Sequence, residues 1–260
     1  MQRALQWGTG NLGLPPKNLL LVVVDPASLT AQEAAKKALI ESWGYTVNLI
    51  DESDSQANFD AAIAANDVAY IPQDITSSNL GTKLAGATLG VVNEEGEQVD
   101  ELGIAQDKIF KSRTEIDVLD NTHYITQPFA TGLLTFVSSS QSVHMLTSNI
   151  APGLSTLAQS FNTGSQWKPS LAVIETGGDL WGGGTAAGRR VELPWGGGTF
   201  DINQLNADGQ TIMQRAIEWA EGAGAAPAPT YNVLLVVGDA TTLASKDAGR
   251  KALMESWGYT

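Results

Sequence analysis

The sequence predicts an α/β fold, a mostly parallel sheet with helices on both faces, and three observations point to it. Short apolar runs rich in β-branched residues recur through the first half of the chain, as in strands buried on both faces. Helical segments alternate with them, a rhythm that builds right-handed βαβ units. The third observation is a repetition. NLLLVVVDPASLTAQEAAKKALIESWGYT at Asn18–Thr46 returns as NVLLVVGDATTLASKDAGRKALMESWGYT at Asn232–Thr260, with about 17 of 29 positions identical.

MQRALQW at Met1–Trp7 is echoed by MQRAIEW at Met213–Trp219, which sets a repeating unit of about 212 residues. The expected organisation is then a C-terminal helix and linker of a truncated preceding repeat at 1–17 and a complete α/β domain at 18–222. An Ala/Pro linker follows at 223–231, and the first strand and helix of a truncated following repeat at 232–260. A unit of that length buries a full core without disulfide or metal staples. Truncated ends of this kind are expected to be disordered or to pair with another chain.

The elements follow in order. Leu19–Val24 is an apolar strand, ended by Asp25 and Pro26. Thr30 and Glu33 form a capping box that opens a helix through Ser42, with Ala34, Ala38 and Leu39 on its apolar face. Gly44 stands where a helix C-cap belongs. Tyr45–Ile50 is the second strand, Ser55–Asn66 a helix and Val68–Ile71 the third strand. Ser78–Ala85 is a short helix and Thr88–Val92 the fourth strand. Beyond an acidic loop at Asn93–Glu101, Ile109–Val118 alternates as an edge hairpin would. Leu133–Ser138, Leu154–Ala158, Leu171–Glu175 and Arg189–Leu193 read as further strands. Asn206–Glu221 is the closing helix, with Ile212, Ala216, Ile217 and Trp219 toward the core. GAGAAPAPT at Gly222–Thr230 is a semi-rigid linker.

Charge and composition remove several functions. The net charge is −13, from 28 acidic and 15 basic residues. Phosphate-backbone binding relies on Lys and Arg, so nucleic acid is not an expected partner. An acidic surface suits the solubility of a long array. The chain has no cysteine, which removes disulfides, thiolate catalysis and Cys-based metal sites. No apolar run is long enough to span a bilayer. No basic and then apolar leader opens the sequence, so a signal for export is expected to lie upstream of it.

The order of these elements resembles the class I glutamine amidotransferase-like superfamily, especially its ThuA-like branch. The residues that carry the resemblance are LLLVVVD at Leu19–Asp25, ESWGYTVNLID at Glu41–Asp51, DVAYIP at Asp67–Pro72, NTHYIT at Asn121–Thr126 and GRRVELPW at Gly188–Trp195. They span most of Asn18–Gly222, and their order rather than any single motif makes the case. The unit looks like modules found in tandem in large bacterial, often metagenomic, surface proteins. The resemblance implies a flavodoxin-like, doubly wound α/β fold, and a fold does not itself imply a function. Amidotransferase members carry a Cys nucleophile on a tight turn after a strand. Here the turn after Val68–Ile71 reads QDITSSNLG, so glutamine amidotransfer is not available.

Three constellations are candidates for chemistry. A serine hydrolase needs Ser, His and an acid. With only His123 and His144 in the chain and no G-x-S-x-G elbow, the best set is Ser78, His123 and Asp120. The competing reading has Ser77 or Ser78 capping a helix and His123 making structural hydrogen bonds. The second constellation is the paired WGGG motifs, where Trp181 and Trp195 with Arg189 and Arg190 suit an aromatic and cationic rim for a sugar or anion. Its competitor is backbone clearance by the glycines, which lack the Lys-Ser/Thr of a phosphate loop. The third is acidic. Asp51 and Asp54 follow the second strand, and Glu94 and Glu95 the fourth, at strand ends where open α/β sheets bind ligands. Calcium is the candidate ion, although EF-hand spacing is absent. No other cofactor is indicated.

The expected function is a non-catalytic repeat module of a large extracellular bacterial protein, acting as spacer or as a carbohydrate- or surface-binding unit. The alternative is a serine-type hydrolase acting on an ester or glycan. Expected partners are neighbouring repeats and carbohydrate, without membrane insertion and with self-association through the truncated ends.

Overall fold

Leu19–Val23, the apolar run that opens the first repeat, is buried at all five positions within a wide sheet. The computed structural model describes residues 17–163, 166–224, 235–237, 242 and 244–256. Its contacts divide the chain into two units, Met1–Gly222 and Ala223–Thr260. In the first unit β1 (Lys17–Val23) pairs in parallel with β2 (Tyr45–Asp51) and with β3 (Val68–Ile71). Leu19, Leu21 and Val23 enter one apolar cluster, and Leu20 and Val22 enter the other. Alternate side chains of a strand point to opposite faces, so a strand covered on both sides shows no polar alternation. Burying each such side chain contributes about 1.5–3 kcal/mol.

Helices cover both faces of this part of the sheet. Ile40 of α1 (Ala31–Ser42) and Ile212, Met213, Ala216 and Ile217 of α4 (Ala207–Glu221) join the first cluster. Phe59 of α2 (Gln56–Ala65) and Leu80 of α3 (Ser77–Leu80) join the second. The capping box at the start of α1 is formed. Glu33 N–H donates to Thr30 Oγ1 at 3.1 Å, and Thr30 N–H donates to the Glu33 carboxylate at 2.7 Å, a device that stabilises a helix start by about 1 kcal/mol. Gly44, at φ +93°, turns the chain out of the helix.

The full sheet has the order β2-β1-β3-β4-β11-β10-β9-β6-β7. Its other members are β4 (Gly90–Asn93), β6 (Glu115–Val118), β7 (Gly132–Thr135), β9 (Leu154–Phe161), β10 (Trp167–Ile174) and β11 (Arg190–Glu192). From β2 through β11 the pairings are parallel, and from β11 to β7 they are antiparallel. The sheet is therefore mixed. The short β9–β10 connection is one reason, because a parallel neighbour needs a crossover of a dozen or more residues.

The expected hairpin at Ile109–Val118 is corrected as well. The chain breaks at Thr114, and β5 (Asp107–Arg113) leaves the main sheet to pair with β8 (Gln141–Ser148) in a separate antiparallel ribbon. The helix expected at Ser78–Ala85 is the single turn α3, which Gly81 ends at φ +54°. Its N-cap is Thr76, without a side-chain cap. The loop is held instead by buried Glu52, which accepts from Thr76 N–H at 2.6 Å and from Asn79 Nδ2 at 2.7 Å.

In the second unit α5 (Ser245–Ser256) occupies the positions that the repetition aligns with α1. Residues 235–237 are not in a strand, and Val236 is 84% exposed, whereas its counterpart Val22 is fully buried. The expected helix at Met1–Trp7 and Ala225–Thr230 of the linker lie outside the described residues. Among the described residues no helix is long and apolar enough to cross a membrane.

Candidate functional site

The carboxyl ends of the parallel strands hold a buried cluster of ionisable side chains. Tyr70 lies near the end of β3, Asn93 ends β4 and Glu192 ends β11, and the ladder sets Asn93 beside both Ile71 and Glu192. Glu94, the residue after β4, is completely buried, as is Lys36 on α1. The Lys36 ammonium lies 3.1 Å from Glu94 Oε1 and 2.6 Å from Asp74 Oδ2. Tyr70 donates its hydroxyl to Glu94 Oε2 at 2.6 Å. Burial pushes the Glu94 carboxyl up, while Lys36 and the Tyr70 hydrogen bond draw it down. Burial, with the Glu94 carboxylate beside it, also raises the Tyr70 phenol.

A second group adjoins it through Asn93. Asn93 Nδ2 donates to Glu192 Oε2 at 2.8 Å and to the Glu95 carbonyl at 2.9 Å. Glu192 Oε1 lies 2.5 Å from His144 Nε2, with both side chains buried. The Phe110 ring of β5 meets the His144 imidazole edge-on at 6.1 Å. It fits there because Gly96 and Gly197 carry no side chain, and a Cβ on either would come within 2.8 or 3.0 Å of the ring. Burial pushes the Glu95 carboxyl up to about 7, against the pull of the Glu97 N–H and of His144. The ribbon thus seals this end of the sheet.

The Ser78, His123 and Asp120 set is not assembled. Ser78 is exposed on α3, beyond the carboxyl end of β3. His123 instead packs on Trp219 of α4, with ring centroids 5.1 Å apart. That last turn of α4 meets Gly90, the first residue of β4, where a Cβ would stand 2.1 Å from the Ala220 carbonyl oxygen. Ser78 and His123 therefore sit near opposite ends of parallel strands, which four residues make roughly 13 Å long. They also sit on opposite faces, since Leu80 and Trp219 belong to different clusters. Asp120 shares a turn with His123 but accepts from Thr122 N–H and Oγ1, both at 2.7 Å. His123 Nδ1 accepts from Ile125 N–H at 3.2 Å, and burial lowers its pKa.

The aromatic and cationic rim is likewise dispersed. Arg190 starts β11 and Trp195 lies beyond the other end of that strand. Trp195 is fully buried, stacked between Phe136 at 5.5 Å and Phe200 at 5.9 Å. Arg190 is buried and donates to the carbonyls of Ala85, Ala87, Leu89, Gly188 and Arg189. Arg189 stacks over the Trp219 ring at 4.3 Å and donates to the Trp219 carbonyl at 2.6 Å, at the C-terminus of α4 where a cation is favoured. Trp181 lines an open pocket of about 510 Å³, with Asn149, Asp179 and Gly182–Gly184.

Asp51 and Asp54 are occupied locally, Asp51 by Ser53 N–H and Oγ at 2.7 and 2.6 Å, and Asp54 by Asn58 Nδ2 at 2.6 Å. Glu94 faces Lys36 and Tyr70, whereas the Glu95 carboxylate accepts from Glu97 N–H at 2.8 Å. Among the described residues no group of three or more His, Asp or Glu side chains is arranged to hold a metal ion. Sequence reasoning did not find Lys36, Tyr70, His144 or Glu192. The signal was faint, because a Lys in a helical KK pair and a Glu two residues after an arginine pair carry no spacing that betrays burial. No model of a known protein family and no curated protein matches this chain.

Proposed function

We propose that the chain is a non-catalytic repeat module of a large extracellular bacterial protein, a spacer or a carbohydrate- or surface-binding unit, on a flavodoxin-like, doubly wound α/β framework related to the ThuA-like domains. The observation that carries this reading is the state of the carboxyl edge of the parallel strands, where open α/β sheets place their ligands. There Lys36, Asp74, Glu94 and Tyr70 are engaged with one another, and Phe110 packs edge-on against His144, which meets Glu192. Ionisable groups withdrawn from water in this way are costly to place and serve to fix one arrangement of the core. The recurrence of Asn18–Thr46 at Asn232–Thr260 supports a tandem array, with neighbouring repeats as partners.

The alternative, a serine-type hydrolase, requires Ser78 and His123 to meet, and the sheet stands between them. The deciding test is turnover of generic ester and glycoside substrates by the purified chain beside Ser78→Ala and His123→Ala. The expected result is no turnover above background in any of the three. Turnover by the parent chain that disappears in both variants would overturn the non-catalytic reading.

A further inference from the structure

We propose that Lys36 and Asp74 condense to an amide, a covalent link that the chain makes with itself between α1 and the turn after β3, with Glu94 moving the protons. The link goes beyond the function proposed above, because it is one intramolecular event and not turnover of a substrate. The Lys36 ammonium lies 2.6 Å from Asp74 Oδ2 and 3.1 Å from Glu94 Oε1. The carbon to be attacked is therefore one bond beyond the nearest contact. Groups held this close react as if at very high concentration.

Both partners are fixed in place. Lys36 projects from α1, whose start is set by the Thr30–Glu33 capping box. Asp74 sits on a turn pinned by its neighbour Gln73, which donates to the Phe200 carbonyl at 2.7 Å and accepts from Phe200 N–H at 3.3 Å. Tyr70 occupies Glu94 Oε2 at 2.6 Å, which leaves Oε1 to the Lys36 nitrogen. Lys36, Glu94 and Tyr70 are shielded from water, and the Asp74 side chain is 14% exposed. The water released can leave on the Asp74 side, and little water reaches the site to reverse the step.

The step balances without any other reactant. The ammonium passes a proton through Glu94 to an Asp74 oxygen. The freed nitrogen lone pair attacks Asp74 Cγ, forming the C–N bond while the carbonyl π pair moves onto oxygen. A second proton passes from nitrogen through Glu94 to the hydroxyl, the C–O bond breaks, water leaves and the carbonyl re-forms. Glu94 ends as it began, a proton carrier within hydrogen-bond reach of the nucleophile. Burial pushes its carboxyl up, Lys36 and the Tyr70 hydrogen bond draw it down, and the Asp74 charge adds to the rise. Two opposite charges withdrawn from water become one neutral amide, which removes their desolvation cost.

The link joins residues 38 apart in a chain that has no cysteine for a disulfide. Like a disulfide, it restricts the unfolded chain. In the second copy of the repeated segment Arg250 stands at the position that aligns with Lys36. A guanidinium stays protonated and does not attack in this way, so one link per chain is expected.

The test is the intact mass of the purified, denatured chain, followed by tryptic mapping. The parent chain should weigh one water less than its sequence requires. The map should show peptide 18–37 joined to peptide 38–83, uncut after Lys36. Lys37→Met, a change at the neighbouring lysine, should keep the loss of water. Lys36→Met, Asp74→Ala and Glu94→Gln should each restore the full mass, and far-UV spectra establish whether each variant is folded. A folded parent chain of full mass overturns the proposal, and that result needs no variant. So does a lost water that maps to a succinimide, which leaves the two peptides separate, or a link that maps to Glu94. Loss of water that persists in folded Glu94→Gln overturns the role of Glu94 as proton carrier.

Discussion

Lys36 and Glu94 form an ion pair at 3.1 Å in which neither side chain touches solvent. The pair links α1 to the end of β4, and Asp74 and Tyr70 complete its surroundings. Removing one member of such a pair leaves a buried charge uncompensated, which costs about 3–5 kcal/mol. Lys36→Met is therefore expected to lower the urea midpoint sharply without changing the far-UV spectrum at low denaturant. The double variant Lys36→Met with Glu94→Gln should recover a large part of that loss, since it removes the stranded carboxylate. Recovery of nothing would mean that the pair is not coupled as its geometry requires.

Arg190 gives a second, independent prediction. Its guanidinium donates to five carbonyl oxygens, three of which belong to the loop Ala85–Leu89 before β4. Burial lowers its pKa to about 10, so the side chain stays charged at neutral pH. Lys cannot reproduce the planar fork. Arg190→Lys and Arg190→Met are both expected to cost on the order of 3 kcal/mol, because either change leaves buried carbonyls without donors. Thermal unfolding measures this, and a near-neutral Arg190→Lys would show that a point charge suffices.

The pH dependence of stability should run opposite to that of an ordinary acidic protein near neutrality. Glu95 has a folded pKa of about 7 against 4.5 in the open chain. The native state thus holds this proton more tightly, so stability is full below pH 4.5 and falls as pH rises toward 7. The contribution is on the order of 3 kcal/mol, and the raised carboxyl of Glu94 acts in the same direction. Asp201, held down to about 2 by Gln32 and Asn203, contributes stability that is lost only in stronger acid. Urea midpoints measured from pH 4 to 8 should peak near the acid end. Glu95→Gln should flatten the fall. An unchanged slope in that variant would exclude Glu95 as its source.

The parts of the fold legible in the sequence are those decided by local chemistry. Thr30 with Glu33 set the start of α1, Gly44 its end, and the unbroken apolar run of β1 announced a strand covered on both sides. The antiparallel half was harder to read. β8 carries His144 between Val143 and Met145, and all three are buried, so its polar residue faces the protein rather than water and the usual alternation is lost. The break at Thr114 depends on β5 finding β8, about thirty residues on, a pairing that no local pattern encodes. The candidate rim failed for a related reason. Trp195 and Arg190 are the residue types that favour ligand surfaces, yet their buried positions are set by stacking and by carbonyls distant in sequence.

Gly90 supplies the last prediction. As the first residue of β4 it lies so close to α4 that an added Cβ would stand 2.1 Å from the Ala220 carbonyl oxygen and 2.5 Å from its carbon. These are backbone atoms, so no rotamer change relieves the overlap. The helix would have to shift, disturbing the Arg189 contact with the Trp219 carbonyl at 2.6 Å and the packing of Trp219 itself. Gly90→Ala is expected to destabilise by about 3 kcal/mol or more, at or beyond the upper end for overpacking. Gly86, a few residues earlier, has nothing within 4 Å of the same atom and no left-handed backbone. Gly86→Ala should therefore be neutral or slightly stabilising, through the unfolded chain. The pair separates steric contact from a general intolerance of side chains in this loop. Equal loss in both variants would mean that α4 does not approach β4 as closely as described, whereas loss confined to Gly90→Ala ties the stability of the closing helix to a single missing methyl group.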